Sequence, residues 1–573
     1  MKAAAAALAV LALAVPVLAM PGALAADATS LGVGYICGAE QRPASSAASR
    51  VAVMLQGVGN GASPADTRNH EAQLWYDEGL NLYHSFNHNE ASAALAKAAA
   101  LDPACALCQW GVALSLGPTL NYGVTPAQTT LALAAADKAA TLVRPDDARA
   151  KALIAALQLR YGKDTPEAKR ETLYGHAMDD LLKRFPADNE IAALTVQALL
   201  TPARHDDYAG VPRAIEILKT VLARAPDDTA AIHYYIHATE FAGHPADALP
   251  YAEKLAALTP GASHMVHMAA HTLMHVGQYE RVAVVNAEAM KVDADTEAKL
   301  GYPGPLSSQI YYLHNYTFGL DGALMAGDAR LALKYADHAE RAFPAGGETV
   351  IAAPPGSVRP PGNGAVQRRT TATARAMVAY GRYDAARALA LPDNPADPRI
   401  VRIYRHYARG EAFAVRGDAA AVQREADAIA ALGAEAKAAA DVGVLPIADI
   451  AANVLTGRAA LIANQPAKAA EAFARAAARQ EKAFPFADNF DPPPWWYPVR
   501  RSLAAADLAA GKPGDAIREA KASLKDWPQD AIALKVLSEA EAKTGDARSA
   551  KAHLAEAQRD WRGDLARVPL NLS

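Results

Sequence analysis

Small and apolar residues recur at intervals of three and four along most of this chain. That spacing places them on one face of an α-helix. In the segment AIEILKTVLARAP the stripe is formed by Ala214, Leu218 and Val221, and Pro226 ends it. The same pattern returns 34 residues later at Ala248, Ala252, Leu255 and Pro260. The pattern therefore predicts helices arranged in a structural repeat.

Further copies of the stripe follow Gly79, Gly277, Gly327, Gly511 and Gly545. A 34-residue period with small residues where helices would cross resembles the tetratricopeptide repeat, over most of residues 70 to 560. The resemblance implies an all-α solenoid of helical hairpins wound into a right-handed superhelix. A single hairpin cannot bury its apolar face alone, so stacking is what stabilises such an array.

Segments rich in Pro and Gly interrupt the repeat and set the predicted domains. The stretch AGGETVIAAPPGSVRPPGNG cannot be helical throughout, so residues 345–366 are predicted to be a linker or loop. It would separate an N-terminal block, residues 67–344, from a C-terminal block, residues 367–573. Residues 26–66 lack the repeat, which indicates an irregular segment or an N-terminal cap.

The first 25 residues resemble a secretory signal peptide. Lys2 precedes a run of Ala, Leu and Val, and Ala23-Leu24-Ala25 has the form of a cleavage site. Pro16 and Pro21 break the apolar run, which argues against a retained anchor. No later stretch reaches the roughly 20 apolar residues of a spanning helix. The sequence thus predicts an exported protein, periplasmic or secreted, with no membrane span.

Charge and motifs exclude several classes of function. A formal net charge of −4 over 573 residues gives no reason to expect nucleic acid as a partner. There is no phosphate-binding Gly-Lys-Ser/Thr loop, so no nucleotide cofactor is predicted. Gln109 replaces the histidine that haem attachment would need after Cys105 and Cys108, so no haem is expected. These two cysteines are predicted to form a short-range disulfide or to pack as thiols, and Cys37 is the third cysteine.

The histidines are concentrated in one stretch of the chain. Six of the 16 lie within residues 233–271, in two HxxxH pairs that are 34 residues apart. The first pair is His233 and His237, and the second is His267 and His271. Two histidines at positions i and i+4 lie on one face of a helix and can chelate a single ion. His244 and His275 are predicted to be turn and surface residues.

The tetratricopeptide resemblance implies that this stripe lines the concave groove of the superhelix. The segment YYLHNYTFGLDGALM would bring a further histidine to the same wall, with neighbouring polar side chains. The predicted metal-binding residues are His233, His237, Glu240, His264, His267, His271 and His314. Further groove residues are predicted at His88, Asn121, Tyr311 and Asn315. The stretches HYYIHATE, HMVHMAAH and YYLHN are similar to those of exported bacterial tetratricopeptide proteins of unassigned activity.

Three hypotheses for the histidine stripe follow from the sequence. In the first, the groove binds a peptide or protein, and the histidines are polar contacts. In the second, they bind a transition metal such as Cu, Zn or Fe, which suits nitrogen ligands with one carboxylate. The third adds metal-dependent catalysis, with Glu240 as ligand or base and catalytic residues otherwise unknown. Paired HxxxH helices are also how dinuclear copper oxidases present their histidines.

Overall fold

The computed structural model describes most of the chain beyond its first 51 residues. The described residues are 52–121, 123–166, 169–205, 207–300, 310–342, 363–485 and 492–572. The predicted signal peptide, Cys37 and most of the predicted linker lie outside them.

The described residues form α-helices and short 3-10 turns, and contain no strand. In chain order, α1 to α25 are His70–His84, His88–Leu101, Ala106–Leu116, Pro126–Leu142, Ala148–Tyr161, Arg170–Arg184, Asn189–Leu200, Val211–Arg224, Thr229–Phe241, Leu249–Leu258, Ser263–His267, Ala269–His275, Tyr279–Leu300, Ile310–Met325, Ala329–Ala342, Asn363–Tyr383, Ala385–Ala390, Arg399–Val415, Ala419–Ala438, Leu445–Ile462, Pro466–Ala483, Arg500–Ala509, Pro513–Asp526, Ala531–Thr544 and Ala547–Asp560.

Consecutive helices pack against each other as hairpins, and several first helices also pack on the first helix of the next hairpin, as α1 does on α3, α7 on α9 and α22 on α24. Helices α11 and α12 together form one such first helix, interrupted at Met268. Small residues allow the close approach within a hairpin. A Cβ atom on Gly79 would lie 2.5 Å from Leu95 Cγ, so a larger residue there would force Leu95 to move. The arrangement confirms the predicted all-α solenoid of tetratricopeptide type.

Helix α9 carries the first HxxxH pair, and its start and end have local causes. The Asp228 side chain caps the helix by accepting a hydrogen bond from the Ala231 amide. Gly243, at φ 73°, ends it with a left-handed residue. Helix α9 is buried on nearly every face, because α7, α8, α10 and α12 surround it. Its histidines therefore lie inside the protein, not on its surface.

The N-terminal segment, residues 52–66, lies across the hairpins that carry the histidines. The Asn60 side chain donates to the carbonyl of Asp227 at 2.7 Å, and its Oδ1 accepts from the Thr229 amide at 3.2 Å. The Gly57 carbonyl accepts from the Gly261 amide at 2.9 Å. These bonds fix the turns immediately before α9 and α11.

One hydrophobic core runs from Leu55 to Trp527 and spans both repeat blocks. A buried ion pair joins the blocks, because Arg375 of α16 donates through Nε to Asp321 of α14 at 2.9 Å. The C-terminal block also returns to the middle of the chain, where Tyr279 donates to the Pro528 carbonyl at 3.0 Å. The two blocks are therefore in direct contact.

Helix α20 is, among the described residues, the one helix long and apolar enough to cross a membrane, and 56% of it is buried within the protein. It packs between α19 and α21, as the core helix of a solenoid does. At the start of α3, Cys105 and Cys108 form a disulfide.

Candidate metal centre

Six histidines converge in two groups of three. The first triad is His233, His237 and His264, and the second triad is His267, His271 and His314. Within each triad, the nitrogens offered as ligands all lie within 4.8 Å of one another. Each triad takes an HxxxH pair from one hairpin and a single histidine from the first helix of the next. The repeat thus builds the same arrangement twice.

In the first triad, the protein fixes the orientation of His233. Its Nδ1 lies 2.6 Å from the carbonyl oxygen of His84. A carbonyl can only accept, so Nδ1 carries the proton and Nε2 presents a lone pair. This Nε2 lies 3.1 Å from His264 Nε2. Because metal–nitrogen bonds are about 2.0–2.1 Å, two nitrogens on one ion lie about 3 to 3.5 Å apart.

Two rings of the second triad are oriented in the same way. His267 Nδ1 donates to Asn286 Oδ1 at 2.6 Å, and His271 Nδ1 donates to Glu240 Oε1 at 2.9 Å. Nε2 is then the nitrogen that each ring offers to a ligand. His271 Nε2 lies 3.4 Å from His314 Nε2, again a spacing that fits two ligands of one ion. A metal-binding histidine usually donates a hydrogen bond from the ring nitrogen that does not bind the metal, and this bond fixes the orientation of the neutral ring.

Glu240 lies between the two triads. Its side chain is fully buried, with Oε2 3.7 Å from His237 Nδ1 and Oε1 3.8 Å from His275 Nε2, in addition to the bond to His271. The 3.7 Å separation is too long for a hydrogen bond. Glu240 bonds His271 at Nδ1, whereas His314 lies next to Nε2 of the same ring. Glu240 therefore supports the rings and is not one of the ligands of either triad. His275, predicted to be a surface residue, lies instead against this carboxylate.

Burial favours the neutral form of four of the six rings. Burial lowers the pKa of His233, His264 and His267 well below the ordinary value of 6.5, and neighbouring imidazoles lower it further. Burial also lowers the pKa of His237, although Glu240 acts in the opposite direction. A neutral imidazole has the lone pair that a metal ion needs. At neutral pH, therefore, no proton has to leave these rings before an ion binds.

Some buried ring nitrogens are left unsatisfied by the protein. Among the described residues, neither nitrogen of His237 nor Nε2 of His267 has a hydrogen-bond partner. Buried polar groups almost always have one, so these atoms need an explanation. The residues present therefore fit a transition metal in their number, spacing, protonation and unmet bonding capacity.

One phenylalanine packs on each triad. Phe86, in the turn between α1 and α2, has its ring centre 4.3 Å from that of His233 and 5.0 Å from that of His264. Phe318, on α14, lies 4.9 Å from His271 and 5.0 Å from His314. The resemblance places these histidines on an open groove, whereas the structure leaves them only 0 to 9% exposed. The two aromatic rings are a physical reason for that difference.

The remaining predicted groove residues lie outside the triads. His88 is buried at the start of α2 and packs on Phe86 at 5.4 Å. Asn121 is buried in the loop after α3, where its backbone N–H donates to Thr119 Oγ1. The Asn315 side chain donates to Asp293 at 3.3 Å. Tyr311 belongs to α14, but its side chain is outside the described part of the structure.

Sequence reasoning did not identify four residues of the site: His84, Phe86, Asn286 and Phe318. A signal was present for Asn286, because a polar residue there interrupts the buried stripe of α13. His84 and Phe86 lie about 150 positions before their partners in the chain. No periodicity within the repeat connects them to the histidines.

No protein-family model and no curated protein matches this chain. Similar solved structures include the human IFIT1 dimer with PPP-AAAA, at 12% identity, covering 86% of this chain and 95% of that one, with a TM-score of 0.29. The P58(IPK) TPR domain has 12% identity over 85% and 98%, with a TM-score of 0.22. Naa15/Naa10 bound to HypK-THB has 13% identity over 88% and 90%, with a TM-score of 0.19. At these scores the likeness says nothing of function, and the fold assignment rests on the hairpins themselves.

Proposed function

We propose that this protein is an exported metalloprotein that binds transition metal ions at the two histidine triads. The observation that carries the proposal is the convergence of six buried imidazoles in two groups of three, in which His233, His267 and His271 each donate a hydrogen bond from Nδ1 and so leave Nε2 as the ligand nitrogen. Export is proposed from the leader-like residues 1–25 alone.

A purely structural role for the cluster explains it less well. Each buried polar group without a partner costs about 1–3 kcal/mol, and three such nitrogens lie in His237 and His267. Apolar side chains of similar volume would fill the same space without that cost. An ion bound by the triads would satisfy these nitrogens and would add its binding free energy to folding.

The donor set restricts the metal. Imidazole suits copper, zinc, iron and nickel, whereas calcium and magnesium prefer oxygen ligands. Copper(II) stands highest in the affinity order for a given nitrogen site, and we propose copper ahead of zinc and iron. Three protein ligands per ion would leave a coordination position open, as catalytic sites do. Metal-dependent catalysis is therefore included in the proposal, with Glu240 as a positioning residue.

The test is elemental analysis of the full chain, exported without an affinity tag and dialysed against metal-free buffer. We expect two equivalents of metal in the wild type and about one in His264→Ala or His314→Ala, each of which removes one ligand from one triad. The exposed His176→Ala is the matched control and should retain both equivalents. Circular dichroism of each variant verifies that the helices are intact.

Background metal in the wild type, even after reconstitution with copper and zinc, would contradict the proposal. A peptide- or protein-binding groove would then be the better hypothesis. It predicts that the same substitutions weaken binding of a partner while the metal content stays unchanged.

A further inference from the structure

We propose that the two triads form a single dinuclear centre that takes a small oxygen-donor anion, such as hydroxide, as a bridging ligand between the ions. This inference rests on the proposed metal binding and deepens it. Two independent mononuclear sites would satisfy the proposed function equally well. The pairing of the two ions in one centre therefore rests on separate observations.

The two triads lie close to each other. Ring centres within the triads are 4.6 to 6.2 Å apart. Across the boundary, His237 lies 5.7 Å from His271, and His264 lies 5.9 Å from His267. The spacing between the triads is thus no larger than the spacing inside one. The six rings form one continuous cluster, as expected when two ions are about 3.5–4 Å apart and share a ligand.

The two triads also share a carboxylate. Glu240 accepts from His271 in the second triad and approaches His237 in the first triad. One buried side chain therefore supports a ring on each side. An ion bound to either triad polarises the ring that faces this carboxylate, so the two halves of the centre are electrostatically linked.

The charge of two bound ions also favours a bridging anion. Imidazole binds a metal ion as a neutral ligand, so Glu240 is the side chain of the cluster that can bring negative charge to it. Two ions bring at least two positive charges into a buried site, and uncompensated buried charge is costly. An anion bound between the ions would compensate part of this charge. Because Phe86 and Phe318 pack against the triads, we expect that anion to be small.

The test uses electron paramagnetic resonance of the full chain loaded with Cu(II), with azide as the anionic probe. A bridged pair couples its two unpaired electrons, so the signal should fall far below the total copper measured on the same sample. In His264→Ala or His314→Ala, one copper should remain and its signal should match the copper content. Azide should shift the absorption spectrum of the wild type by replacing the bridge.

Three results would overturn the pairing. These are two equivalents of copper with full signal intensity, two equivalents whose spectrum azide leaves unchanged, or binding of one equivalent only. In each of these cases the protein still binds copper, so the proposed metal binding survives in whole or in part. Copper at background in the wild type would overturn both proposals. The outcomes for the two proposals are therefore distinguishable.

Discussion

Asn286 occupies the repeat position that holds Leu218 and Ala252 in the two preceding hairpins. All three side chains are buried, but only Asn286 bonds a triad histidine. Its own amide donates to the Val282 carbonyl at 2.7 Å, which fixes the oxygen toward His267. A buried amide is tolerated at this repeat position because His267 donates a hydrogen bond to the Asn286 oxygen.

Replacing Asn286 by leucine should weaken metal binding without unfolding the protein. Leucine restores the residue of an earlier repeat but leaves His267 Nδ1 without an acceptor. Loss of such a partner typically lowers metal affinity about 10- to 100-fold. Competition against a chelator of known affinity measures the change. Asn286→Asp retains the acceptor and should bind nearly as well as the wild type, whereas equal affinity in all three proteins would refute the orienting role.

Glu240 shows what sequence could and could not predict at this scale. Its helical spacing from His237 predicts that it belongs to the cluster, and the structure places it there. The spacing cannot show which ring edge it faces, because that depends on how α12 packs against α9. The sequence-based hypothesis of a ligand or base is accordingly replaced by the proposal of a positioning residue.

At the scale of elements, the 34-residue period predicts the hairpins because it reflects burial on one face, which is a local property. The N-terminal segment is different, since residues 52–66 have no periodicity and their order comes from side-chain bonds to other elements. In one such bond, the Leu55 amide donates to Glu78 Oε1 of α1 at 2.6 Å. Composition alone could not distinguish this attachment from an irregular tail.

Glu78 should make stability depend on pH. Burial raises its pKa from 4.5 to about 7, although the bond from Leu55 acts against the shift. The folded state then binds more protons than the unfolded state between those values, so the unfolding free energy falls as pH rises through them. Glu78→Gln keeps an acceptor and removes the titration. Relative to this variant, the wild type should lose stability between pH 5 and pH 8 in urea unfolding.

The control for this comparison is Glu71→Gln, which changes an exposed glutamate in the first turn of the same helix. It should leave the pH dependence of the wild type unaltered. If Glu78→Gln retains the wild-type pH dependence as well, the segment is held independently of this carboxyl.

At the scale of the whole molecule, the C-terminal block packs back on the hairpins that carry the second triad. Gly277, at φ 79°, follows α12, and a Cβ atom there would lie 2.0 Å from the Pro528 carbonyl oxygen. The two residues are about 250 positions apart. A repeat pattern describes neighbours in the array, so it cannot predict a contact between hairpins this distant.

A matched pair of glycines measures the contribution of this contact. Gly243 precedes Gly277 by one repeat and has φ 73°, but a Cβ atom there would have nothing within 4 Å. Gly243→Ala should therefore cost only the left-handed strain, about 1–2 kcal/mol. Gly277→Ala carries the same strain and also forces Pro528 away, so its unfolding free energy should fall further. Urea unfolding of both variants gives the difference, and hydrogen exchange at the turn before α24 locates it. Equal losses in the two variants would mean that the return of the C-terminal block adds nothing to stability.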